Sequence, residues 1–132
     1  MASTEGAHAF TMGLGAVHAM SHAIGRREDL RLHHGTLNAV ILPAVLRFNE
    51  PGCEDKYDRL RATMGLAAGA DLAVAIEDLN ADIGLPSGLG AMGVSEDMID
   101  DFVPHALADL AHRTNPRSAS AEDYAALYRE AM

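Results

Sequence analysis

Four histidines, His18, His22, His33 and His34, lie in one short run of this chain. His18 and His22 are four residues apart, so on a helix they share a face and point into the same space. His33 and His34 follow the polar connector Arg26-Arg-Glu-Asp-Leu-Arg-Leu32, where the next helix is expected to begin. A histidine at that point can reach the same space from the other side. Neutral imidazole ligates zinc and iron, and it is the side chain best suited to proton exchange near neutral pH. The run therefore points to a metal or proton-transfer site. The plainer alternative is a set of solvated or hydrogen-bonded rings, and the shared helix face tells against it.

The elements that must carry these rings read as helices. A first helix is expected over about residues 3–23; Gly13, Gly15 and Ala16 weaken it but let another backbone come close. A second is expected to start near His34 and run to about Asn49, with a kink at Pro43, which lacks an amide hydrogen. Pro51 suits the first turn of a third helix ending near Met64. Leu72, Ala75, Ile76 and Leu79 are spaced as the core face of a helix over about residues 71–82. Ile83-Gly84-Leu85-Pro86 reads as a stop and a turn. Ser95 is the expected N-cap of a helix through Ala111, and Thr114-Asn-Pro-Arg117 a loop. Ser120-Ala-Glu-Asp123 has the pattern of a capping box for a final helix to about Glu130.

Other residues with chemical potential read as structure. Gly88-Leu-Gly90-Ala-Met-Gly93 spells the dinucleotide pattern G-x-G-x-x-G, but no strand precedes it, so a loop between helices is expected. His105 and His112 are seven apart, two turns on one helix, and read as a solvated face; His8 reads as structural. Met12, Met20, Met64 and Met98 read as gap-filling core residues. Cys53 stands near a helix start with only Lys56 as a basic neighbour, so an inert thiol is expected. Arg26, Arg27 and Arg31 read as an anion contact or, more plainly, as a solvated loop.

Composition sets the outer bounds. The 132 residues are 48% hydrophobic, which fits one folded domain, 1–132, rather than a disordered chain. The apolar residues are mostly Ala, Leu, Val, Ile and Met, which favours helix over sheet, so an all-α helical bundle is expected. No apolar run approaches twenty residues, and Met1-Ala-Ser-Thr-Glu-Gly6 lacks the pattern of a secretory signal. The single cysteine fits a cytoplasmic location. The net charge of −9 argues against nucleic acid and anionic membranes as partners.

The histidine run resembles the iron-containing alcohol dehydrogenase family. Gly13-Leu-Gly-Ala-Val-His-Ala-Met-Ser-His22 is similar to one of the family's helices. His34-Gly-Thr-Leu-Asn38-Ala-Val-Ile-Leu-Pro43 and Val45-Leu-Arg-Phe-Asn49 are similar to the helix that follows. Ile83-Gly-Leu-Pro86, Gly93-Val-Ser-Glu-Asp97, Asn115-Pro-Arg117 and Glu122-Asp-Tyr-Ala-Ala-Leu-Tyr128 fall in the family's order. The resemblance covers nearly the whole chain, but only the family's C-terminal helical part, a dehydroquinate synthase-like bundle.

The resemblance implies a role for each matching histidine. His18 and His34 match metal ligands, and His22 matches a histidine beside nicotinamide and substrate that helps to move protons. The connector before His34 is longer than the family's, so His33 stands as the alternative ligand. The family's two other ligands, an aspartate and a histidine, belong upstream of the matched region. The implied function is the metal-binding helical domain of an oxidoreductase. It would interconvert an alcohol and its aldehyde with NAD(P), using iron(II) or zinc held weakly by this chain alone. Its expected partners are a nucleotide-binding domain or subunit, or a second copy in a homodimer, and a small alcohol or aldehyde. The alternative is a non-catalytic helical module, for folding or dimerisation, that keeps the family's histidines.

Overall fold

The computed structural model describes residues 2–132. Among the described residues seven α-helices follow one another: α1 Ala2–Thr11, α2 Ala16–Gly25, α3 His34–Asn49, α4 Glu54–Thr63, α5 Leu72–Asp82, α6 Ile99–Ala108 and α7 Ala121–Glu130. Short 3₁₀ turns at Glu28–Leu30, Gly90–Met92, Glu96–Met98 and Leu110–Thr114 connect them, and no strand occurs among the described residues. The expected all-α architecture is present.

α2 is the centre of the packing. It lies against α3 and α6, α6 lies against α7, and α3 lies against α5 and α7. Its inward face is built of small residues and two large ones: Ala16, Ala19, Met20, Ala23 and Ile24 are all buried. The alanines let α3 and α6 approach closely, while Met20 and Ile24 fill the space toward Leu37, Ile41, Phe102, Tyr124 and Tyr128. Burying a large apolar side chain contributes about 1.5–3 kcal/mol. The Tyr128 hydroxyl, which would be costly to bury unpaired, donates to the Met20 carbonyl at 3.1 Å. Phe102 and Tyr128 pack at a tilt with centroids 5.6 Å apart.

The expected first helix is two helices. Gly13 takes φ +96, and a Cβ there would meet the side chain of Thr114. Gly15 then enters α2 in an extended conformation as its N-cap residue. The break lets the chain turn around the 3₁₀ segment Leu110–Thr114, where the Thr114 hydroxyl donates to the Leu14 carbonyl. Pro43 lies inside α3, and the helix is continuous through it. The expected helix from Ser95 to Ala111 is instead a 3₁₀ turn, then α6, then a second 3₁₀ turn. Ser95 is the N-cap residue of the first of these turns, but its hydroxyl donates to the Asp97 carboxylate at 2.5 Å instead of accepting from a backbone amide. The capping box at Ser120 forms as expected, with the Asp123 amide donating to the Ser120 hydroxyl and the Ser120 amide to the Asp123 carboxylate.

The apolar spacing of α5 overstates its burial. Leu72 and Ala73 are buried, whereas Leu79 is 47% exposed. Met20 alone of the four methionines expected in the core is fully buried; Met98 packs against the core, and Met12 and Met64 are exposed. Cys53 and Tyr57 at the start of α4 form a second, small cluster with Leu72 of α5, and the Cys53 thiol is buried in it. The G-x-G-x-x-G segment is a set of bends and a 3₁₀ turn between helices, as expected, with no strand before it among the described residues. Its backbone runs against residues 131 and 132, with the Leu89 amide donating to the Ala131 carbonyl at 2.8 Å. A Cβ at Gly88 would collide with the Met132 carbonyl, which is why a glycine stands there.

Candidate functional site

The local structure of α2 and α3 brings three of the four histidines of the run together. His18 and His22 project from α2 one turn apart, with ring centroids 5.7 Å apart. The chain leaves α2 at Gly25, passes through the 3₁₀ turn Glu28–Leu30 and reverses at Arg31, which takes the left-handed φ of +49. A non-glycine residue in that conformation costs of order 1 kcal/mol, and the turn it makes delivers the first residue of α3 to the histidine face. His34 therefore meets both α2 rings at 5.3 Å, tilted against His18 and stacked on His22. His33 is elsewhere. It is the N-cap residue of α3, where its Nδ1 accepts from the Thr36 amide at 3.4 Å. Of the two candidates, His34 joins the cluster and His33 closes the helix start.

Two residues that sequence reasoning did not single out complete the arrangement. Asn38, one turn after His34 on α3, aims its amide nitrogen at Nε2 of His18 (3.3 Å) and at Nε2 of His34 (3.0 Å). An amide nitrogen only donates, so both Nε2 atoms present lone pairs to one point. The Asn38 Oδ1 is buried without a partner among the described residues. Asp109, at the end of α6, uses one carboxylate oxygen to cap the following 3₁₀ turn through the Ala111 amide at 2.8 Å. Its other oxygen meets Nδ1 of His22 at 3.0 Å. That contact fixes the ring and leaves Nε2 of His22 as the atom facing outward. Burial, then His34 and His22, hold the His18 imidazole below its ordinary value, and Asp109 pulls weakly the other way.

The start of α2 is held by amides. Asn49 and Asn115 exchange side-chain hydrogen bonds at 2.8 and 3.1 Å, and Asn115 Oδ1 also accepts from the Ala16 amide at 3.0 Å. The expected loop at 114–117 is thus the clamp that orients the histidine helix. The other sequence candidates lie apart. His8 is exposed on α1. His105 and His112 do not share a helix, and His112 is half-buried with its Nδ1 3.0 Å from the Tyr124 hydroxyl, so the expected solvated face is not there.

The donor set fits part of a metal's coordination sphere. Two neutral Nε2 atoms converge, and an orphaned amide oxygen lies beside them. No group of three or more His, Cys, Asp or Glu side chains among the described residues is arranged to hold a metal by itself. No described helix is long and apolar enough to cross a membrane.

The all-helical unit sets two histidines on one helix against a third at the start of the next. The chain matches the Fe-containing alcohol dehydrogenase family, C-terminal, over residues 1–132, and it belongs to that family. It is 51% identical over 138 aligned positions to a 4-hydroxybutyrate dehydrogenase of Cupriavidus necator, covering 99% of this chain and 36% of that protein. It is 34% identical to the NAD-dependent methanol dehydrogenase of Bacillus methanolicus, covering 91% of this chain and 33% of that one. Among solved structures, a 1,3-propanediol oxidoreductase superposes with a TM-score of 0.82 at 35% identity, over 90% of this chain and 33% of that chain. An alcohol dehydrogenase from Oenococcus oeni gives 0.79 at 29% identity, with 90% and 33% covered. The chain thus spans about a third of the length of the relatives it matches.

Proposed function

We propose that this chain is the metal-binding half of an NAD(P)-dependent oxidoreductase that interconverts a small alcohol and its aldehyde, working with a nucleotide-binding domain. The observation that carries the reading is the convergence of His18 and His34 through their Nε2 atoms on one point, with His22 beside them. His18 and His34 would hold iron(II) or zinc, and the remaining ligands would come from the nucleotide-binding side of the cleft. A divalent ion there supplies Lewis acidity to the alcohol oxygen.

The chain's own residues do the rest. Asn38 holds both rings in the tautomer whose Nε2 is a lone pair, and its amide would give way where a metal takes those lone pairs. His22, oriented through Nδ1 by Asp109, offers Nε2 to take up or return the alcohol proton. Such a carboxylate–imidazole contact fixes which nitrogen faces the substrate. The packed alanines of α2 and the Asn49–Asn115 clamp keep the histidine face rigid. Proximity of the reacting atoms depends on that rigidity.

The test joins this chain to the nucleotide-binding portion of the Cupriavidus necator 4-hydroxybutyrate dehydrogenase, in place of that enzyme's own C-terminal third. Expected is alcohol-dependent NAD(P)H formation that requires added iron(II) or zinc and is lost in His18→Ala. A folded chimera with no turnover on any small alcohol would refute the reading. So would steady turnover by the 132-residue chain alone, since no cofactor cradle is expected in it.

A further inference from the structure

His18, His22 and Arg26 form a row along one face of α2, each four residues after the last. Residues so spaced stand about 5–6 Å apart at Cβ. Arg26 is the C-cap residue of α2. Its side chain is exposed and makes no hydrogen bond or ion pair with any described residue. Its neighbour differs: Arg27 is bound through two nitrogens to Asp29, at 2.9 and 2.8 Å. Arg26 instead borders a recess of about 340 Å³ whose other walls include His22, His34, Leu32 and Leu37. The recess is thus lined by two rings of the histidine cluster, His22 and His34, by the unpaired Arg26 and by apolar side chains.

We infer that this recess receives a short ω-hydroxy acid, or the matching aldehyde acid, and that Arg26 is the specificity-determining residue that binds its carboxylate. The inference rests on the proposed function, because the alcohol end is taken to lie at His22 and His34. A guanidinium binds a carboxylate through two parallel N–H···O bonds, which a neutral hydroxyl cannot reproduce. The spacing selects length. Side chains one helical turn apart, about 5–6 Å at Cβ, stand off by the span of a chain of about four carbons with C–C bonds of about 1.5 Å. The apolar walls favour methylenes between the two polar ends. A phosphate is the other anion a guanidinium takes. The substrate carboxylate is favoured because Arg26 is one turn from His22, at the reacting end of the site.

Two measurements test this, one independent of turnover. The 132-residue chain, labelled at histidine nitrogen, is titrated with 4-hydroxybutyrate, 1,4-butanediol and inorganic phosphate while the imidazole resonances are followed. His22 and His34 signals are expected to shift saturably with the acid, at least about tenfold more tightly than with the diol, as a charge-assisted pair predicts. Arg26→Ala should abolish that preference, and Arg26→Lys should restore part of it. Absence of a saturable shift with the acid, equal binding of acid and diol, an unaffected Arg26→Ala, or tighter binding of phosphate would each overturn the inference. In the chimeric enzyme, Arg26→Ala should raise KM for 4-hydroxybutyrate about tenfold, with kcat and the KM for 1,4-butanediol held within about twofold. A chimera that oxidises the diol but shows no such split would sink the arginine's role and leave the proposed function standing.

Discussion

The α4 flank and the α2–α3 edge each hold a cluster of polar groups, and the two are completed in opposite ways. On the flank, Arg61 is only 7% exposed. Its guanidinium donates to the Ala70 carbonyl at 2.6 Å, to Asp58 at 3.0 Å and to Glu50 at 2.5 Å. At the edge, two imidazole lone pairs share one amide, and the Asn38 oxygen, Nε2 of His22 and the Arg26 guanidinium have no partner among the described residues. Groups satisfied within the chain hold a fold together; groups left with spare capacity cost stability and are retained for something outside it. The difference separates a structural arginine from an available one without reference to any ligand.

The sharpest way to break the contrast is to measure activity and stability on both sides of it. In the chimeric enzyme, His18→Ala and His34→Ala are each expected to lower turnover about a thousandfold, on the scale of losing a ligand to a catalytic metal, while urea unfolding shifts by no more than about 1 kcal/mol. Arg61→Ala should do the reverse, costing about 2 kcal/mol in the same urea experiment and leaving turnover within about twofold, because the Ala70 carbonyl and two carboxylates lose their donor. Equal effects of both kinds of variant would erase the distinction.

Smaller effects refine the edge itself. Asp109→Asn keeps an oxygen for the Ala111 amide but replaces the carboxylate that orients His22, so turnover should fall about tenfold with unchanged metal content. Zinc titrated calorimetrically into the isolated chain should bind weakly, with Kd of about micromolar or higher, and more weakly still in His18→Ala and His34→Ala; tight binding unchanged by both would move the site elsewhere.

The smallest effect is on pH. The His18 imidazole is held below its ordinary 6.5, chiefly by burial and then by His34 and His22. A histidine that is harder to protonate when folded contributes its full stability above 6.5, and that part is lost as pH falls from 6.5 through the lowered folded value. His18→Gln should flatten the stability–pH curve in that window, read by urea unfolding across the acid range.

The histidine row of α2 was legible because helical spacing alone puts His18 and His22 on one face. The choice between His33 and His34 was not legible, since it turns on which residue caps α3 and on the left-handed turn at Arg31. Asp109 reaches His22 across 87 positions, and no local pattern announces such a contact. Asn38 was visible as part of a familiar stretch, but its bridging role depends on how α3 leans on α2. The helix expected over 3–23 failed where two glycines outweighed the apolar periodicity. Leu79 failed because period shows which residues share a face, not whether anything covers that face.

The close approach of Gly88 to Met132 also sets how the molecule opens. The amides of Leu89 and Gly90 donate to the carbonyls of Ala131 and Met132, so residues 89–132 form a noncovalent loop fastened at its own ends. A backbone amide in a turn ordinarily exchanges its hydrogen with solvent almost freely. Leu89 can do so only when the last turn of α7 lifts away. Its deuterium uptake should therefore run in step with that of the α7 amides, though it lies more than thirty residues away along the chain.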